Sequence, residues 1–161
     1  MRLIHTSDWH LGRSFHRVGL LDAQARYLDH LVEVVSSEGV DAVLVSGDVY
    51  DRALPSPDTV ELLSDGVTRL IDAGAAVVLS SGNNDSAIRL GFASDLLARA
   101  GLHIRTSLDL VGVPVMINDT AIYPLPYLEP SLAADRIGAE GRTHAAVLQA
   151  AMCRVRTDAR S

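Results

Sequence analysis

Apolar residues along the chain follow two rhythms: compact runs of four or five, and longer stretches spaced by threes and fours. Arg2–Thr6 is a compact run and predicts a short buried strand, with a polar loop over Ser7–Gly19 behind it. From Leu20 to Ser37, Leu21, Ala25, Leu28, Val32 and Val35 make one helical stripe, closed by Gly39. Asp41–Ser46 contains Ala42-Val43-Leu44-Val45, a valine-rich run with the length and composition of a strand buried on both faces. Ser56-Pro57 offers a capping side chain and then proline at the first helical position, and Val60, Leu63, Val67 and Leu70 carry that helix to Gly74. Ala75–Leu79 predicts a third buried strand, and Phe92–Ala100 a shorter helix before Gly101.

After Gly101 the rhythm changes. Leu110–Ile117 and Thr120–Leu125 read as strands of a meander that turns at Asn118-Asp119. Glu129–Arg142 is polar, contains Gly138 and Gly141, and reads as a loop. Thr143–Val155 reads as a helix with Val147, Ala151 and Val155 on one face. The order β-α-β-α-β-α followed by β-β-α predicts a layered α/β fold whose central sheet is mixed but largely parallel and flanked by helices.

Composition narrows the class. With 161 residues, 48% of them hydrophobic and 21% charged, the chain has the size and balance of one globular domain rather than a disordered segment. A single cysteine, Cys153, excludes an internal disulfide framework and a Cys-rich zinc site. The first residues do not form a signal peptide, and no apolar stretch approaches the ~18 residues that span a bilayer. The expectation is a cytoplasmic protein without membrane contact. The net charge is −6, and all 14 basic residues are arginine. That balance argues against a nucleic-acid coat protein, whose affinity rests on cationic surface, but not against an enzyme that meets phosphate through bound cations.

The candidate chemistry lies just past three predicted strands. Asp8-Trp9-His10 follows the first, Gly47-Asp48-Val49-Tyr50-Asp51-Arg52 the second, and Gly82-Asn83-Asn84-Asp85 the third. Singly, each has an ordinary explanation: a capping Asp beside a surface His, a turn with a helix cap, a left-handed turn. In an open α/β sheet, however, loops at the carboxyl ends of the strands share one edge and form the ligand crevice. Carboxylates, an imidazole and a carboxamide gathered there suit Mn²⁺, Fe or Zn²⁺, and a carboxylate placed between two ions is what two-metal phosphoester hydrolysis requires.

Asp8-x-His10, Gly47-Asp48-x-x-Asp51-Arg52 and Gly82-Asn83-x-Asp85 resemble the first three motifs of the calcineurin-like metallophosphoesterases. The surrounding text, including His5-Thr6-Ser7-Asp8-Trp9-His10-Leu11-Gly12, Leu90-Gly91-Phe92-Ala93-Ser94 and Tyr123-Pro124-Leu125-Pro126-Tyr127, is similar to the SbcD family of DNA nucleases, from Met1 to about Val155. That resemblance implies a manganese-dependent nuclease subunit that acts on DNA ends and hairpins in repair, recombination and replication. Its implied partners are DNA, an SbcC ATPase subunit and a second copy of itself. By position, Asp8 and His10 would hold one ion, Asp48 would bridge, and Asn83 would hold the other. Arg13, His16 and Arg17 follow the first motif in a loop and are candidates for phosphate contact, although a solvated loop explains them equally well. Arg52, beside the bridging position, is the better candidate.

Two departures from the family pattern stand out. The family has His where this chain has Asn84, with the following acidic residue, Asp85, orienting it; Asn cannot release a proton near neutral pH. The family's later Gly-His and Gly-His-x-His ligands also have no counterpart, since His103 and His144 sit in different contexts. The resemblance therefore implies the amino-terminal portion, over 1–161, of a catalytic domain, with capping and partner-binding regions absent. Its two-ion centre would be reduced to one weak site or none, and its catalysis impaired. Two other classes fit the same residues: a small-molecule phosphodiesterase of the same fold, and a non-catalytic scaffold that binds DNA ends or a partner.

Overall fold

The computed structural model describes residues 1–160. Its strands are β1 (Leu3–Ser7), β2 (Ser14–Phe15), β3 (Val18–Gly19), β4 (Ala42–Ser46), β5 (Ala76–Ser80), β6 (Leu102–Arg105), β7 (Val115–Ile117) and β8 (Thr120–Ile122). Its helices are α1 (Leu21–Glu38), α2 (Pro57–Asp72), α3 (Ala87–Leu90), α4 (Ser94–Leu97), α5 (Pro130–Ile137) and α6 (His144–Asp158). The principal sheet has the order β1-β4-β5-β6 and is parallel throughout, with Leu3 opposite Ala42 and Ala42 opposite Ala76. The antiparallel pairs β2-β3 and β7-β8 form separate two-stranded sheets.

Because each new parallel strand is laid beside the last, right-handed crossovers carry the connecting helices to one face. The packing agrees. Val43, Val45, Val77 and Leu79 point into one core with Leu28, Leu31 and Val35 of α1 and Leu63, Val67 and Leu70 of α2. The alternate residues Ala42 and Val78 point the other way, where Val115 and Ile117 of β7 cover them. A third cluster joins Ala133, Ala134 and Ile137 of α5 to Val147 and Ala151 of α6. The α1 stripe ends where predicted: Gly39 turns left-handed at φ 59° and donates to the Val35 carbonyl.

Several expectations need correction. β1 is an edge strand, and Leu3 and His5 are exposed rather than buried. The predicted loop Ser7–Gly19 contains the β2-β3 hairpin, with His16 and Arg17 at its tip, both left-handed (φ 49° and 66°). The helix expected over Phe92–Ala100 is interrupted at its start by Ala93 at φ 56° and consists of α4 and a 3₁₀ turn at Ala98–Ala100, while the short α3 before it was not expected. The predicted loop Glu129–Arg142 contains α5. Glu129 caps it through the Ser131 amide and hydroxyl, Pro130 fills its first turn, and Gly138 ends it.

Candidate metal centre

The parallel register brings the three strand ends level, and backbone hydrogen bonds extend the sheet into the loops beyond. The Asp8 amide donates to the Gly47 carbonyl (3.2 Å), His10 to Asp48 (2.8 Å) and Leu11 to Val49 (3.0 Å), while Gly47 donates to Ser80 (3.0 Å). The motifs after β1, β4 and β5 are thus sewn together by main chain. Tyr127 donates to the Ser81 carbonyl (2.7 Å), which pins the 125–127 segment as the far wall of a cleft of about 280 Å³ over Asp8, Asp48 and Asn83.

Asp8, His10 and Asp48 each offer a ligand atom, and these atoms lie within 4.8 Å of one another. All three residues are left-handed, at φ 53°, 43° and 40°. For non-glycine residues that conformation costs about 1–3 kcal/mol each and persists only where the surroundings impose it. Here the zipped loops impose it, and the reversal aims all three side chains at one point. Asp8 is exposed, His10 half-buried and Asp48 only 7% exposed. His10 Nε2 faces Asp48 Oδ2 at 3.6 Å. Its Nδ1 is buried without a hydrogen-bond partner and faces Asp51 Oδ1, also at 3.6 Å.

Asn84 and Asp85 hold the centre from the third loop. The Asn84 amide donates to Asp48 Oδ1 (2.9 Å) and its side-chain Nδ2 to Asp48 Oδ2 (2.7 Å). Asp85 accepts three backbone bonds: from Val49 (3.0 Å) and Gly82 (2.8 Å) on Oδ2, and from Tyr50 (2.9 Å) on Oδ1. Burial, and after it the Asp85 charge, push the Tyr50 phenol above its ordinary value of 10.0. Gly82 is required by contact: a Cβ there would fall 2.0 Å from Asp48 Oδ1 and 2.1 Å from the Asp48 amide. Asn83 lines the cleft and is exposed.

Of the expected phosphate contacts, Arg13 and Arg52 converge on Asp51, with Nε 4.0 Å from Oδ1 and 3.8 Å from Oδ2. His16 and Arg17 do not join this cluster. They stand at the hairpin tip, where the His16 ring meets exposed Phe15 edge-on at 4.2 Å. His103 lies on β6, and the His144 ring stands 6.1 Å from that of Tyr127. Neither belongs to the Asp8–His10–Asp48 group, the only such group of three among the described residues.

Sequence reasoning missed Gln24 and the position of Asp51. Gln24 reaches from α1 into the first loop, accepting from the Gly12 amide (3.0 Å) and donating to the Trp9 (3.1 Å) and His10 (2.8 Å) carbonyls. The available signal was a polar residue inside the α1 stripe, three residues after Leu21 and four before Leu28.

The donor set suits a hard or borderline divalent ion: two carboxylates and one imidazole converge, with that imidazole's other nitrogen turned toward a carboxylate. The family model for the calcineurin-like phosphoesterases matches residues 1–127. The SbcD component of the SbcCD nuclease from Staphylococcus saprophyticus is 34% identical over 128 residues, which are 79% of this chain and 34% of that relative. The chain thus spans about a third of the relative's length. Its strand-end motifs, the parallel sheet behind them and these matches agree: the chain belongs to the calcineurin-like phosphoesterase family.

Proposed function

We propose that this chain is the metal-binding portion of an SbcD-type DNA nuclease, a phosphodiester hydrolase whose own centre is impaired by Asn84. The observation that carries the reading is the convergence of Asp8, His10 and Asp48 from two strand ends within 4.8 Å, together with Asn83 in the same cleft. Asp8 and His10 would hold one ion, Asp48 both and Asn83 the second, with manganese the ion the family uses. Bound there, the ions would supply charge stabilisation and an activated water for in-line attack on phosphorus. Asp85 fixes two of the loops by their main chain, and Gln24 fixes the third. Arg13 and Arg52, held beside the centre by Asp51, would meet DNA phosphates. His16 and Arg17 would meet them farther out on the projecting hairpin.

The missing proton donor at position 84 sets the expected defect. A positioned acid or base contributes about 10²–10⁴ in rate, so Asn84→His in the full-length protein raises Mn²⁺-dependent cleavage of hairpin and blunt-ended DNA by that order, with Asp48→Ala as the inactive control. No gain would remove the role given to position 84. Asn84 also favours a second reading, a scaffold that binds DNA ends or a partner without cutting. EDTA-insensitive DNA binding with no cleavage by either chain would establish it, and preference for a small aryl phosphodiester over DNA would favour a small-molecule enzyme instead.

SbcC and DNA are the proposed partners, and the cytoplasm the proposed compartment; no described helix is long and apolar enough to cross a membrane. Self-association is supported by an apolar groove of about 560 Å³ between α2 and α3-α4, lined in part by exposed Phe92 (80%) and Val60 (45%).

A further inference from the structure

We propose that Asn84 is a built-in plug of the metal centre: its carboxamide occupies the Asp48 carboxylate that an incoming divalent ion needs, and so lowers this chain's affinity for the ion. The plug rests on the metal-centre reading above and concerns what this chain's own residue does to that centre.

The two oxygens of Asp48 are not equivalent. An ionised carboxylate has about four acceptor positions. Oδ1 receives the Asn84 amide at 2.9 Å and is packed against the Gly82 main chain so tightly that a single added carbon would lie 2.0 Å away. The Gly82 main chain takes up that side of the carboxylate. Oδ2 is therefore the oxygen available for coordination, and it is the one that faces His10 Nε2 across 3.6 Å. The Asn84 side chain donates its Nδ2 hydrogen to this same atom at 2.7 Å. Short bonds from an amide to a charged carboxylate are among the stronger hydrogen bonds, and Asp48 is only 7% exposed, so water competes weakly.

The consequence is an Asp48 carboxylate that is already satisfied without an ion. A carboxamide gives Oδ2 a hydrogen without adding charge, so it stabilises the empty carboxylate, and an ion that bridges through Oδ2 has to displace it. Asn83, the neighbouring residue, lines the open cleft instead. The two asparagines therefore act in opposite directions: Asn83 is placed to turn toward an ion, while Asn84 holds the place of one.

The test is Mn²⁺ affinity by titration calorimetry on the 161-residue chain, its Asn84→Ala variant and its Asp8→Asn variant. Asn84→Ala is expected to bind Mn²⁺ about tenfold more tightly, the equivalent of releasing one hydrogen bond to a charged group. Its metal-free melting temperature should fall, and the rise on adding Mn²⁺ should grow. Asn84→Ser, whose hydroxyl is too short to reach Oδ2, repeats the measurement should the alanine variant fold poorly. Equal or weaker Mn²⁺ binding in these variants, with binding still lost in Asp8→Asn, would overturn the plug and leave the metal centre standing. Absence of Mn²⁺ binding in every chain would overturn the centre and the plug together.

Discussion

Removing the Asp85 carboxylate should damage the fold before it damages any chemistry. In Asp85→Ala, the amides of Val49, Tyr50 and Gly82 lose their acceptor at once. Val49 is fully buried and Tyr50 nearly so, and a buried donor left unpaired forfeits its hydration as well as its bond. At about 1 kcal/mol net per bond the loss is about 3 kcal/mol, or a fall in melting temperature of about 6–12 °C for a chain of this size. Asp85→Asn keeps one acceptor oxygen, and its NH₂ opposes one of the amides, so it should lose at least a third of that. Urea unfolding in EDTA reads the difference without interference from bound metal. If metal-free Asp85→Ala stayed within about 0.5 kcal/mol of the parent chain, a range ordinary surface substitutions occupy, the main-chain clamp would be refuted. A purely catalytic role for Asp85 would then be the better account.

Four further outcomes follow from the same geometry. Gly82→Ala forces a carbon to within 2.0 Å of Asp48 Oδ1, and should abolish Mn²⁺ binding in calorimetry while leaving the far-ultraviolet circular dichroism helical; unchanged binding would mean the contact relaxes freely. Asp51→Ala removes the carboxylate facing His10 Nδ1 and should weaken Mn²⁺ binding about tenfold or more, as loss of an outer carboxylate does elsewhere; undiminished affinity would show that Asp51 does not orient the ring. Burial, and then the Arg105 charge, hold the His103 imidazole below its ordinary 6.5, so the unfolded chain takes up that proton at higher pH than the folded one. His103 should therefore cost stability as pH falls below 6.5, and His103→Gln should flatten the stability–pH slope there; an unchanged slope in urea titrations would refute it. Phe92→Asp places a charge on the apolar groove and should shift sedimentation toward monomer; a parent chain already monomeric at high concentration would remove the proposed self-association surface.

The first half of the chain was legible because pattern and packing agree there. The α1 and α2 stripes and the valine runs of β4 and β5 turn inward the residues their spacing selects, except Val60, which is 45% exposed while its neighbour Thr59 is buried, and each boundary falls within a residue or two of expectation. Legibility failed where a segment is too short for periodicity to accumulate. The β2-β3 hairpin has two residues per strand and no glycine or asparagine at its tip, so nothing announced a turn with two left-handed residues. β6 is a four-residue run after Gly101 and α5 an eight-residue helix whose signal was its Glu129-Pro130 start, masked by polar neighbours and two glycines. At the site, motif spacing selected the residues that converge, because parallel strands put their ends together whatever the details. It did not reveal that Asn84 bonds Asp48, that Asp85 binds main chain, or that Gln24 braces the first loop. Those are facts of side-chain direction, which a linear pattern does not encode.

The left-handed backbone at Asp8, His10 and Asp48 also bears on how such a chain would age under mutation. Each of these residues sits where glycine or asparagine would be more comfortable, so relaxed selection favours exchange at Asp8 and His10, whereas Asp48 also holds two bonds from Asn84. Asp8→Gly or His10→Gly, fatal to a metal site, would be among the easiest stabilising changes available to a protein that no longer needed one. This chain still carries the uncomfortable residues at all three places. Asn84, which on the proposed function departs from the family pattern, lies one loop away and is not left-handed, so its replacement brings no relief of strain. A protein decaying into an inert scaffold would be expected to lose these features in the opposite order.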